Sequence, residues 1–161
     1  MRTAPFFAVL TVSLLLVSCA KDVQEIAQDV GLIPDGCGSA GARLQATVGD
    51  IDYCANAQVL ATGDGASVIV TGLDLAGGTL VLQLDTLAVG THPITEATNG
   101  ILFMHMGTTY TVAPGVSGDL VIASFDPVAR KLSASFDTPL TNAVNGEVVQ
   151  VVGQVEVTYS E

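Results

Sequence analysis

Lys131-Leu132-Ser133-Ala134-Ser135-Phe136-Asp137 decides the fold. Leu132, Ala134 and Phe136 alternate with Ser133, Ser135 and Asp137, the period of a strand with one buried and one wet face. Asp119 to Phe125 precedes it across Asp126-Pro127, a dipeptide suited to a hairpin turn. Val148 to Tyr159 follows, with Val155, Val157 and Tyr159 on one side and Gln154, Glu156 and Thr158 on the other. Gly153 reads as a bulge within that strand.

The same grammar runs back to residue 43. Arg43 to Val48 and Ile51 to Cys54 flank Gly49-Asp50, a Gly-first pair that fits a type II′ hairpin. Gln58 to Thr62, Ser67 to Leu73 and Thr79 to Thr86 come next, separated by Gly63-Asp64-Gly65 and by Asp74 to Gly78. Gly90-Thr91-His92-Pro93 reads as a break. Ile101 to Met106 and Thr108 to Val112, parted by Gly107, form one bulged strand or two. No segment after residue 31 carries a helical period. Eight or nine short strands joined by turn residues predict an all-β domain, an antiparallel β-sandwich or partly closed barrel. A membrane-spanning barrel is disfavoured, because the chain has no Trp and only 8 Phe and Tyr for aromatic girdles.

The N-terminus differs in kind. Met1 and Arg2 precede an uncharged apolar run, Phe6 to Val17, too short for a permanent transmembrane helix. Leu16-Val17-Ser18-Cys19 then resembles the lipobox of bacterial lipoproteins. The resemblance implies that residues 1–18 are a signal peptide, that Cys19 carries thioether-linked diacylglycerol, and that its new amino group is acylated. Each buried methylene contributes about 0.8 kcal/mol, so several chains on one cysteine hold a protein on a membrane where one alone would not. Ala20 lacks the Asp that favours inner-membrane retention in such lipoproteins, which implies the outer membrane. Lys21-Asp22 resembles part of the basic-plus-acidic tag of surface-exposed lipoproteins, with only one acid present. Periplasmic face and cell surface both remain open.

Residues 19–41 then form the lipidated N-terminus and a flexible tether, and residues 42–161 the all-β domain. Lys21 to Val30 has Val23, Ile26, Ala27 and Val30 at helical spacing, stopped by Gly31 and Pro34. Loss of residues 1–18 removes Arg2, leaving four cations against 16 acids and a net charge of −12. Such a surface repels phosphate backbones, which excludes nucleic acid as a partner. Cys37 and Cys54 remain once Cys19 is lipidated, and an even pair in an exported chain predicts a disulfide.

Several stretches of residues 43–159 also resemble a family of small, uncharacterised all-β lipoproteins of the bacterial envelope. Ala46-Thr47-Val48-Gly49-Asp50 is similar to its opening hairpin. Leu87-Ala88-Val89-Gly90-Thr91-His92-Pro93-Ile94 is similar to its strand and Gly-Thr turn. Ser117 to Ile122 and Lys131 to Phe136 match its penultimate hairpin, and Gly153 to Tyr159 its closing strand. The resemblance implies an anchored β-sandwich-like domain with no assigned catalytic residues; the Cys37 and Cys54 pair departs from the pattern.

Chemistry-bearing motifs are sparse. No serine stands in a G-x-S-x-G elbow, and a Ser-His-acid site could form only around His92 or His105. Asp50-Ile51-Asp52 and Asp64 could contribute oxygens to a loop-edge calcium site, but EF-hand spacing is absent. Zinc through His92 and His105 lacks further ligands. No catalytic residue, metal site or cofactor is therefore assigned, and an enzyme is not expected. The leading expectation is a binding or structural role in the envelope, with a protein or glycan partner left open. The alternatives are a lipocalin-like carrier of a small apolar ligand, its pocket lined by side chains such as Met104 and Met106, and, less favoured, a hydrolase.

Overall fold

The computed structural model describes residues 37–39 and 41–161. The described residues belong to one compact unit, Gly36–Glu161. The expected signal peptide, the expected lipidation at Cys19 and the helical spacing of Lys21 to Val30 fall outside the described residues.

Twelve strands and no helix make up the described unit: β1 (Gly38–Ser39), β2 (Ala42–Val48), β3 (Ile51–Cys54), β4 (Gln58–Gly63), β5 (Val68–Leu73), β6 (Thr79–Leu84), β7 (Gly90–Ile94), β8 (Ile101–His105), β9 (Thr108–Thr111), β10 (Gly118–Asp126), β11 (Lys131–Asn142) and β12 (Val148–Thr158). All named strand pairs are antiparallel, in the order β1-β2-β12-β11-β9-β8-β6-β5-β4, with β3 also on β2, β10 also on β11, and β7 on β10. The sheet curls until its ends approach. Ser160, just past β12, reaches β4, donating to the Ala61 carbonyl at 3.0 Å and accepting from the Gly63 amide at 2.8 Å. The result is the expected all-β, sandwich-like partial barrel.

The curl follows from a fork. β11 pairs along its whole length with β12, but its other edge serves β10 as far as Asp137 and β9 from Thr141. Pro139 sits between those two partners. Alternation with Ala143, whose amide donates to the Thr109 carbonyl at 3.0 Å, puts the Pro139 nitrogen on the forked edge. A proline there has no N–H to leave unpaired where the partners separate. From the fork, β10 and β7 continue one layer, and β9, β8, β6, β5 and β4 the other. Inward side chains from both layers, including Leu44, Leu80, Leu82, Phe103, Leu120 and Phe136, form one buried core.

Three sequence expectations change and one open alternative is decided. Residues 90–94 are a strand rather than a break. Within β7, Pro93 turns its carbonyl away from β10 to accept from Asn99 Nδ2 at 2.9 Å, so its missing N–H also faces the free edge. Gly153 is in register, opposite Phe136 on β11 and Ala46 on β2, with no bulge. Its lost Cβ makes room for the Phe136 ring, whose Cζ lies 2.4 Å from where that carbon would stand. The ladder irregularity falls instead in β10, between Ile122 and Ser124. Strand structure begins at Gly38, before the boundary at residue 42, because β1 pairs with Ala42 and Arg43. Gly107 separates two strands, β8 and β9, in a turn where Met106 and Gly107 both have positive φ, 47° and 80°. That pattern is the type I′ hairpin turn.

Substituting Val for Gly153 forces its Cβ against the Phe136 ring and the Gln45 carbonyl. Denaturant unfolding is expected to show a loss of about 3 kcal/mol with an unchanged m-value. An unaltered midpoint would mean that Phe136 does not depend on the glycine.

Candidate functional site

The outer face of β3-β2-β12-β11-β10 carries a shallow trough beside the Cys37–Cys54 disulfide. Backbone register builds it. Cys54, Gln45, Gln154 and Ser135 lie directly opposite one another on four consecutive strands. The next outward row reads Asp52, Thr47, Val152 and Asp137. These residues except Asp137, with Cys37, line a depression of about 460 Å³. A second depression of about 180 Å³ shares Ser135 and Gln154 with it, and a third of about 270 Å³ shares Ser133 and Glu156 with the second. The three form one path across the sheet. Small outward side chains on β11 and β10, Ser133, Ser135, Ala123 and Ser124, keep it low. Ala123 occupies the irregular position of β10, so the bulge shapes the floor.

Near the disulfide, Gln45, Gln154, Thr47 and Ser135 set hydrogen-bonding groups into a mostly apolar lining whose one acid is Asp52, and farther along the path more charges appear. Arg43 and Glu156 sit opposite each other in the second depression, and Lys131 borders the third. Asp137 faces Asp119 across β10 and β11, an unfavourable like-charge pairing. The Gln150 amide donates to Asp137 Oδ1 and offsets part of it.

The disulfide forms the wall of the trough. β1 and β3 lie end to end along one edge of β2. They meet at Leu44, whose amide donates to the Cys37 carbonyl at 2.8 Å while its own carbonyl accepts from the Ala55 amide at 3.0 Å. Cys37 and Cys54 are thereby brought to a Cα separation of 4.7 Å and joined, as the sequence predicts. Under the trough, Tyr53 passes inward from β3, edge-on to Phe103 at 5.6 Å. Its hydroxyl packs where a Cβ on Gly72 would stand and has no hydrogen-bond partner. Burial pushes the phenol far above its usual range; the Leu80 backbone offsets this slightly, without hydrogen-bond geometry, and Asp74 adds to it.

The other candidate residues are dispersed. His92 has Nε2 2.6 Å from the Ala88 carbonyl oxygen. His105 stacks near Phe103, and its Nδ1 is buried without a partner. Neither imidazole is hydrogen-bonded to a serine or carboxylate among the described residues. Asp64 Oδ1 accepts from the Ser67 amide at 2.8 Å and the Ala66 amide at 3.0 Å. These bonds hold its carboxyl below the usual range and make it the brace of its own turn. Asp50 occupies the β2–β3 hairpin turn, where Gly49 has φ +57°, and no cluster of three metal-ligating side chains occurs among the described residues. Met104 and Met106, which the carrier alternative would set around an internal pocket, are 39% and 81% exposed.

Asn99 is a structural hub that the sequence reading passed over. It is buried, has φ +53°, and its Oδ1 accepts from the amides of Asp85 at 2.9 Å and Thr86 at 3.1 Å. With its bond to Pro93 it ties the end of β6 to β7. The Asn99-Gly100 pair, a common turn dipeptide, was the available signal.

Compared with family models, curated proteins and solved structures, the chain matches none.

Two substitutions test the trough's foundations. Tyr53→Phe removes an unpaired buried hydroxyl and is expected to leave stability unchanged or raise it by up to about 1 kcal/mol; a clear loss in calorimetry would reveal a hydrogen bond. Replacing Cys37 and Cys54 together by Ser opens the covalent loop and should lower unfolding free energy by about 3 kcal/mol. Equal stability of the double variant and the oxidised parent would contradict that contribution.

Proposed function

We propose that this chain is a lipid-anchored protein of the bacterial cell envelope, held at the outer membrane by acyl chains on Cys19, and that its β-domain binds a neutral carbohydrate chain in the trough. The observation that carries the binding role is the row Cys54, Gln45, Gln154 and Ser135. Two carboxamides and a hydroxyl, set side by side above small residues, offer both donors and acceptors to a chain of hydroxyls. The path crosses the strands on their side-chain face, so it does not use the strand addition by which extended peptides pair with sheet edges. The described residues carry 12 acids against three cations, a field that disfavours acidic polymers.

Anchoring is supported by Leu16-Val17-Ser18-Cys19, and an anchored β-domain agrees with the resemblance of residues 43–159 to small envelope lipoproteins. A binding role is preferred to catalysis because, among the described residues, neither histidine is hydrogen-bonded to a serine or carboxylate and neither lines the trough. On this reading the domain presents its trough to envelope material while the acyl chains keep it in place.

Metabolic labelling with palmitate is expected to mark the parent and not Cys19→Ala, which should also stay unprocessed; labelling of the variant would overturn the anchor. On an array of neutral and acidic glycans and envelope peptides, the parent should retain neutral glycans, and Ser135→Trp, which fills the trough from an exposed position, should lose at least tenfold of that signal. Capture of peptides alone, no capture, or equal capture by Ser135→Trp would overturn the binding assignment.

A further inference from the structure

We propose that the outer face of β4-β5-β6-β8-β9 is the contact surface between two copies of this chain. The inference stands apart from the trough, which lies on the other layer, and from the lipid anchor. Register and burial define the face. Leu60, Thr71, Val81, Leu102 and Thr111 form one outward row across all five strands. Gln58, Leu73, Thr79, Met104 and Thr109 form the next, and Thr62, Ile69 and Gln83 a third.

None of these 13 outward residues is charged. Six are aliphatic or Met, five are Thr and two are Gln, although the described residues include 12 acids and three cations. The opposite layer, by contrast, directs Arg43, Asp52, Asp119, Lys131, Asp137 and Glu156 outward. On the neutral face Leu60 is 52% exposed and Ile69 44%. Acids stand only at its ends, Asp64 and Asp74 in turns and Asp85 just after β6.

Charge selects the occupant. Two domains with this excess of acids repel across the charged layer, and depletion of charge is what distinguishes the centre of a protein interface. A two-fold contact also requires a surface complementary to itself. Threonine meets that requirement, since its hydroxyl both donates and accepts while its methyl packs on aliphatic neighbours. Sheets stack face to face with such side chains interdigitated. Five strands of about six residues give roughly 400 Å² of plane, which buries on the order of 1,000 Å² over both copies. That is the low end for a specific contact, so the pair is weak and depends on concentration.

The test uses the full-length chain in cells. Val81→Cys, at the centre of the face, should form a homodimer on mild oxidation, seen on a non-reducing gel and identified by mass spectrometry. Val121→Cys, exposed on β10 in the other layer, should give at least tenfold less. Adding Ile69→Asp, or Leu60→Asp if the first variant loses protease resistance, should lower the Val81→Cys dimer at least tenfold. A Val81→Cys chain that stays monomeric or joins a different protein would overturn the proposal. So would equal cross-linking through Val121→Cys, or indifference to the acid in a folded variant.

Discussion

The domain depends on one long strand lending a single edge to two partners. β11 is held along one side by β12, and on the other it must satisfy β10 and then β9. No flat sheet accommodates two neighbours on one edge that then continue in different directions. The strands beyond the fork must separate into layers, and their inward rows enclose the core. Pro139 makes the separation tolerable by removing the one N–H that would face the gap. Gly118 matters at the same place: a Cβ there would stand 2.2 Å from that of Thr138, so β10 could not close onto β11 with any larger residue.

β2 repeats the arrangement with a different solution. Its free edge is also divided, between β1 and β3, and the junction at Leu44 is sealed by sulfur. Backbone pairing is nearly continuous across both divided edges, as buried polar groups require. Among the described residues, three buried side-chain atoms have no hydrogen-bond partner, Tyr53 Oη, His105 Nδ1 and Thr138 Oγ1. Thr138 lies at the fork itself and Tyr53 beneath the disulfide junction, the two places where packing and pairing compete.

Much of this was legible in the residues. Period-two alternation located β2 to β6 and β8 to β12 within one or two residues at most ends, because one face of each is apolar and the other wet. What escaped has physical causes. β7 and the second half of β11 each contain a proline, which is a strand breaker unless its nitrogen faces an unpaired edge, and that edge exists only in the assembled sheet. Gly153 was ambiguous because a glycine serves a bulge and a close ring contact equally well. β1 is two residues long, too short for any period. The trough and the neutral face were invisible because each is a row across strands. Alternation says which residues point outward, but only register says which of them stand side by side. The Cys37–Cys54 bond was the exception, since counting cysteines needed no register.

That bond also gives the domain an unusual border. From residue 37 to residue 54 the backbone and the sulfurs form a closed ring, bridged within by the pairings of β2 with β1 and β3 and held from outside by β12. A protease that cuts the exposed Gly49-Asp50 turn would open the backbone without releasing either fragment. The first segment of the fold is therefore tied in by two independent routes, and a single break severs neither the strand order nor the wall of the trough.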